Sequence, residues 1–138
     1  TRKDVPQAAK MMHRDEVLEW IEFARQVVIA EHLQDYVVRL ALATQPGSEF
    51  APPLVKQYVK YGSSPRGAQA LTLAGKIRAL LDGRFNVSFG DIDASLLPAL
   101  RHRMILNYEA EADGVVSDQI LATFREHVPR QEAKTAGA

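Results

Sequence analysis

The stretch SPRGAQALTLAGKIRALLDG, residues 64–83, predicts the best-defined helix of the chain. Ser64 is a favourable N-cap residue, and Pro65 supplies a helical φ at the first helical position. Gly83 lies where a glycine in the left-handed conformation ends a helix. Between these ends, apolar residues recur at steps of three and four, which is the period of one helical face. The face predicted to be buried consists of Ala70, Leu73, Ala74, Ile77, Leu80 and Leu81.

Helical patterns also flank this segment on both sides. Amphipathic or capped stretches lie around residues 15–28, 30–44, 54–61, 88–100 and 117–128. Ser88 and Asp91 resemble a capping box at the start of one of them, and Pro98 is expected to bend or interrupt that helix. No stretch alternates apolar and polar residues for long enough to build a sheet. The predicted class is therefore all-α, a small bundle of about five to six helices.

Length and composition favour a single domain that folds in water. The 138 residues contain 46% hydrophobic and 25% charged side chains, which is typical of a globular domain with its own core. Residues 1–13 are interpreted as a flexible linker, residues 14–128 as the folded bundle and residues 129–138 as a polar tail. The start at Thr1, without a methionine, gives the expectation of a piece cut from a longer protein.

Charge and cysteine content argue against several classes of function. Lys plus Arg and Asp plus Glu each number 17, so the formal charge is +0 and no general attraction to nucleic acid is built in. The absence of cysteine removes disulfides, thiol nucleophiles and thiolate metal ligands, and fits a reducing compartment such as the cytoplasm. The four histidines are too scattered for a metal pair, so no metal site is expected.

Two features resemble catalytic motifs without matching them in detail. The pairs Asp91 with Asp93 and Glu109 with Glu111 are interpreted as a helix-start anion and a solvated loop, not as a catalytic acid and base. The glycines of residues 62–69 mimic the spacing of a phosphate-binding loop. The lysine that must reach the β- and γ-phosphates is absent, so this segment is not such a loop.

Arg66 is the candidate functional residue, because its position is locally unfavourable. With Ser64 as the N-cap, its charge lies beside the positive end of the helix dipole, at a cost of a few tenths to about 1 kcal/mol. Free N–H groups of the first turn and a guanidinium together make a favourable pocket for an anion such as phosphate. The position equally allows Arg66 to extend into solvent or to pair with a nearby carboxylate.

Several short motifs occur in the order that is seen in the MoxR-type AAA+ ATPases. They are Tyr36-Val37-Val38-Arg39-Leu40 with Ala43-Thr44, Gly62-Ser63-Ser64-Pro65-Arg66, Leu81-Asp82-Gly83-Arg84, Val87 with Asp91, and Leu100-Arg101-His102-Arg103. Over residues 14–128 the chain resembles the C-terminal helical lid subdomain of these proteins, which follows a nucleotide-binding α/β core. Gln45 stands where the family usually has arginine, and Ala30 replaces the polar cap common before the second helix.

The resemblance implies a role for the start of the best-defined helix. Arg66 would be the sensor 2 arginine, which reaches the γ-phosphate of ATP and acts on its hydrolysis, and Ser64 and Pro65 would shape the helix start at the same site. The core would bind ATP and Mg²⁺, so the chain alone is not expected to hydrolyse ATP. The resemblance also implies neighbouring subunits in a ring, chaperone-like remodelling of proteins, and partners with a von Willebrand factor A domain. Neither nucleic-acid binding nor membrane insertion is expected.

The chain also contains a basic cluster after the helix predicted over residues 88–100, and its apolar faces allow an alternative function. Arg101-His102-Arg103 is predicted to satisfy carbonyl groups at a helix end, with His102 packed or hydrogen-bonded. The alternative function is a stand-alone helical module that binds a protein partner through one apolar face. The candidate faces are that of Trp20 and that of Val55, Tyr58 and Val59.

Overall fold

The structure is a computed structural model that describes residues 9–130. The helices are α1 Arg14–Gln26, α2 Glu31–Ala43, α3 Pro53–Tyr58, α4 Pro65–Leu81, α5 Phe89–Leu100, α6 Tyr108–Asp113, α7 Ser117–Ala122 and α8 Phe124–His127, with a 3-10 helix at Arg101–Arg103. The strands are β1 Val59–Tyr61 and β2 Ile105–Leu106. The predicted all-α class is confirmed. The predicted linker and tail fall largely on residues 1–8 and 131–138, outside the described residues, and stay predictions.

Three local features differ from the sequence prediction. The helix predicted over residues 54–61 ends at Tyr58, and its last three predicted residues form β1 instead, which pairs antiparallel with β2. Both strands are too short to produce an alternating pattern in the sequence. α6 occupies the segment of Glu109 and Glu111, where the sequence predicts a loop, and Asn107 caps it by accepting a hydrogen bond from an N–H at 3.0 Å. The last predicted helix divides into α7 and α8 at Thr123. The Thr123 hydroxyl donates to the Ile120 carbonyl at 2.7 Å, a type of bond that bends helices.

The core lies between α2, α4 and α5 and is closed by α7 and α8. Each of these helices contributes large, fully buried side chains to it. They include Tyr36, Leu40, Leu71, Ile92, Leu100, Ile120, Leu121 and Phe124. The contact between α4 and α5 is the most extensive between two elements of the described chain. Within residues 9–130, each helix is too short or too polar to cross a membrane.

The buried face of α4 is not the one that the sequence predicts. Its buried residues recur at steps of four and are Gly67, Leu71, Gly75 and Ala79. Of the six residues predicted to be buried, three are exposed, with fractions of 46% for Leu73, 41% for Ile77 and 76% for Leu81. The other three, Ala70, Ala74 and Leu80, are half-buried. A Cβ atom on Gly75 would lie 2.6 Å from Ile92 Cδ1, so α5 approaches this face closely. The predicted buried face is wrong because small residues allow two helices to approach each other closely. The face of α4 with the small residues therefore packs against α5, and the larger side chains lie on the outer face.

The start of α5 confirms the predicted capping box. The Ser88 N–H donates to Asp91 Oδ2 at 2.8 Å, and the Asp91 N–H donates to Ser88 Oγ at 3.3 Å. Arg84 binds both oxygens of the same carboxylate, at 2.9 and 2.8 Å. This bidentate pair joins the segment after α4 to the start of α5. Its hydrogen bonds lower the pKa of Asp91 to about 2.

The ends of α4 and α5 test two further predictions. Gly83 has a φ of +72°, and its N–H donates to the Leu80 carbonyl at 2.9 Å, so the predicted left-handed helix end is confirmed. α5 runs unbroken past Pro98, so Pro98 does not interrupt the helix, whereas the alternative, a bend, stays a prediction. Pro98 removes one hydrogen bond, to the Ala94 carbonyl. Both residues are exposed, so the Ala94 carbonyl faces solvent and is not buried without a donor.

Candidate functional site

The start of α4 carries the three residues that the resemblance assigns to a nucleotide site. Ser64 is the N-cap and Pro65 is the first helical residue, but the Ser64 hydroxyl makes no capping hydrogen bond within the described chain. The first turn contains no acidic residue, so no charge on the helix offsets its positive end. Arg66 is exposed and takes part in none of the ion pairs formed among residues 9–130. Its guanidinium therefore extends into solvent rather than to a carboxylate of this part of the chain.

The loop before α4 is anchored to the end of α2 through Ser63. The Ser63 N–H donates to Thr44 Oγ1 at 2.8 Å, and Gln45 Nε2 donates to the Ser63 carbonyl at 2.8 Å. The Thr44 hydroxyl in turn donates to the Ala41 carbonyl at 2.6 Å. Thr44 and Ser63 are buried, whereas Gln45 is half-buried. Two side chains that follow α2 thus hold both backbone polar groups of Ser63 and set the position where α4 begins.

Gly62 and Gly67 allow this close packing. A Cβ atom on Gly62 would lie 2.4 Å from the carbonyl oxygen of Thr44, a backbone atom that cannot rotate away. A Cβ atom on Gly67 would lie 1.9 Å from Ser63 Oγ and 3.0 Å from Leu100 Cδ2. Ser63 therefore lies against the first turn of α4. The spacing of the two glycines, which mimics a phosphate-binding loop in the sequence, reflects helix packing.

The basic cluster after α5 has a structural role at two of its three residues. Arg103 Nε donates to the Ala99 carbonyl at 3.0 Å, which satisfies the helix end as predicted. Arg101 pairs with Asp118 at 3.0 Å and connects the 3-10 helix to α7. His102 is exposed, and no hydrogen bond joins it to another of the described residues. The prediction that His102 packs or bonds is therefore wrong for this part of the chain.

Asp91 and Asp93 have separate roles, although they lie two positions apart. Asp91 is the helix-start anion that the sequence predicts, whereas Asp93 is a buried anchor. It accepts a hydrogen bond from the Tyr36 hydroxyl at 2.8 Å, and Arg130 pairs with its other oxygen. Burial, together with the hydrogen bond to Asp93, raises the pKa of Tyr36 above its usual value. The pattern of the sequence contained no signal for this contact, because its members are far apart in the chain.

An apolar groove of about 360 Å³ lies between α1 and α4. Its lining includes Val17, Trp20, Ile21, Leu73, Ile77 and Leu81. Trp20 is 49% exposed, so the first face considered for a protein partner is open. The second face is closed, because its three residues Val55, Tyr58 and Val59 are buried in the core.

The small helical bundle is consistent with a lid-type subdomain of an AAA+ protein. The chain belongs to the AAA lid domain family, whose sequence model matches residues 53–124, more than half of the chain. It is 32% identical over 116 residues to Chaperone MoxR1 of Mycobacterium tuberculosis, a match that covers 84% of this chain and 31% of that protein. It is also similar to a crystal structure of a candidate ATPase from Cytophaga hutchinsonii, with a TM-score of 0.80, 35% identity, and coverage of 86% of this chain and 36% of the other. The chain thus spans about a third of the length of these relatives, and the resemblance to a MoxR-type lid is confirmed.

Proposed function

We propose that this chain closes over ATP bound to a separate core domain, and that Arg66 is the sensor 2 arginine that binds the terminal phosphate. The observation that carries the proposal is the exposed Arg66 at the second position of α4, without a carboxylate partner among residues 9–130. A guanidinium beside the positive end of a helix is unfavourable by itself and favourable next to a polyanion. The local mismatch is therefore relieved when phosphate binds.

In this proposal the residues of this chain bind and orient the phosphate groups of ATP, and the reacting group belongs to the nucleotide. Arg66 would donate hydrogen bonds to phosphate oxygens and stabilise their charge during hydrolysis, while Ser64 and Pro65 hold the helix start. ATP supplies the phosphoryl group, and the core would hold Mg²⁺. Because Arg66 is part of α4, closure of the whole lid would bring the guanidinium charge to the phosphate. Release of the phosphate after hydrolysis would then reorient the lid. In a ring of subunits in the cytoplasm, this motion would drive chaperone-like remodelling of proteins, with von Willebrand factor A-domain proteins as partners.

The test compares Arg66→Ala, Arg66→Lys and Arg78→Ala in the intact ATPase. Arg78 is a matched control, because it is an exposed arginine of the same helix outside the ion pairs of the described chain. We expect Arg66→Ala to lower turnover by tenfold to on the order of 10³-fold, with weaker ATP affinity and an unchanged or slightly higher melting temperature. Lysine should rescue only in part, because an ammonium restores the charge without the bidentate geometry. Full turnover and affinity in Arg66→Ala, or a loss matched by Arg78→Ala, would refute the sensor assignment.

The exposed groove favours a second candidate function, a helical module that binds a protein partner through the Trp20 face. An open apolar surface of this kind is typical of an interaction site. The coding sequence ahead of Thr1 separates the two functions. A phosphate-binding loop, a Walker B carboxylate and a polar sensor 1 residue there would support the lid, and their absence would support the module.

A further inference from the structure

We propose that Gln45 is a positioning residue for Arg66, and that it acts through the carbonyl group of Ser63. The inference rests on the proposed function of Arg66 and adds a residue that neither the motif nor the family match assigns. Gln45 Nε2 donates to the Ser63 carbonyl at 2.8 Å across a sequence separation of 18 residues. This bond connects the end of α2 to the residue that immediately precedes the N-cap of α4.

The path from Gln45 to Arg66 is short and rigid. Ser63 is followed by the N-cap Ser64 and by Pro65, whose ring restricts φ. The Gly67 N–H donates to the Ser64 carbonyl at 2.8 Å and closes the first turn. Gly67 also lies directly against Ser63 Oγ, because no side chain separates them. A displacement of Ser63 is therefore transmitted to Arg66 by covalent geometry and by contact.

The two bonds to Ser63 serve different purposes. The bond from its N–H to Thr44 lies in the buried core, so its loss would affect folding. Gln45 is half-buried and lines an open groove with Ser63 and Pro65. Loss of the hydrogen bond from Gln45 would therefore leave the core intact. What the position needs is an N–H donor aimed at a carbonyl oxygen. Arginine, which the resemblance leads one to expect here, also satisfies that requirement.

The first experiment uses the 138-residue chain and measures amide exchange by NMR at residues 63–67. We expect Gln45→Met, which keeps the size but removes the donor, to speed exchange of the Gly67 amide by about twofold to tenfold. Gln45→Arg should restore slow exchange. Gln34→Met is the matched control, because Gln34 Nε2 also donates to a backbone carbonyl, that of Ile29 at 3.1 Å, at the opposite end of α2. Unchanged exchange in Gln45→Met, or an equal change in Gln34→Met, would overturn the inference.

The second experiment is a double-mutant cycle in the intact ATPase. We expect Gln45→Met to weaken ATP affinity about threefold to tenfold at a nearly unchanged melting temperature, and Gln45→Arg to keep it. In an Arg66→Ala background the same Gln45→Met change should have no effect, because Gln45 acts through Arg66. An effect of equal size in both backgrounds would show that Gln45 acts independently and would overturn the inference. If Arg66→Ala alone leaves ATP affinity and turnover unchanged, the proposed function fails, and the exchange experiment still decides whether Gln45 orders the Arg66 turn.

Discussion

The two faces of α4 differ in a way that reverses the usual expectation about size and burial. The face toward α5 contains two glycines and an alanine with a single large residue, Leu71, and it is buried. The face toward α1 contains Leu73, Ile77 and Leu81, and it is largely exposed. The comparison teaches that the distance between two packed helices, not the size of the side chains on one of them, decides which face of a helix is inside. A helix with apolar residues on both faces can bury either face, and the packing of the neighbouring helices determines which one is buried.

The largest effect is expected for truncation of the one large residue on the buried face. Leu71→Ala should lower the free energy of unfolding by about 2 to 5 kcal/mol, because Leu71 is fully buried and the core is close-packed around it. Leu73→Ala is the matched control on the other face of the same helix and should lower it by less than half as much. Urea unfolding followed by circular dichroism measures both. Equal losses of stability would mean that the two faces of α4 are equally buried, which would contradict the difference described above.

An intermediate effect on stability is expected at the ion pair between Arg84 and Asp91, which connects the segment after α4 to the start of α5. Asp91→Asn should lower the free energy of unfolding at neutral pH by about 1 to 3 kcal/mol, because it removes the buried carboxylate that Arg84 and Ser88 bind. Asp82→Asn is the matched control. Asp82 pairs with the same Arg84 at 2.9 Å but is exposed, so its loss should change stability by less than about 1 kcal/mol.

The same carboxylate predicts a dependence of stability on pH. The pKa of Asp91 is about 2 in the folded protein and 3.8 in the absence of interactions, so its contribution is fully present above pH 4 and is lost as the pH falls from about 4 to 2. Asp91→Asn should therefore lose less stability than the wild-type chain across that window. Parallel decreases in the two proteins would show that the Arg84 pair does not stabilise the α4–α5 junction.

The smallest effect is expected on the face toward α1. Ile77→Ala should lower the free energy of unfolding by no more than about 1 kcal/mol, because its side chain borders an open groove and is already partly in water. Thermal unfolding of the wild-type and variant chains measures the difference. A loss of about 2 kcal/mol or more would show that α1 seals the groove in solution, and that the two faces of α4 are both part of the core.

Local residue chemistry was sufficient to predict both ends of α4 and the start of α5. The helix start at Pro65, whose ring presets φ, the left-handed Gly83 and the capping box of Ser88 and Asp91 each depend on groups within a few residues of one another. The candidate Arg66 was found in the same way, from a charge placed beside a helix end. These interactions form within one turn, so the sequence alone determines them.

Tertiary structure decided which faces are buried and how the site is held. Gly75 is buried because α5 passes within contact of its backbone, and no residue near it in sequence carries that information. The anchor of Arg66 depends on Gln45, whose partner Ser63 lies 18 positions away. Asp93 likewise meets Tyr36 across 57 positions, although a pattern of neighbouring carboxylates suggests a pair with Asp91. The physical reason is that periodicity describes one helix at a time, whereas burial and anchoring are set by the distances between helices, which exist only once the chain has folded.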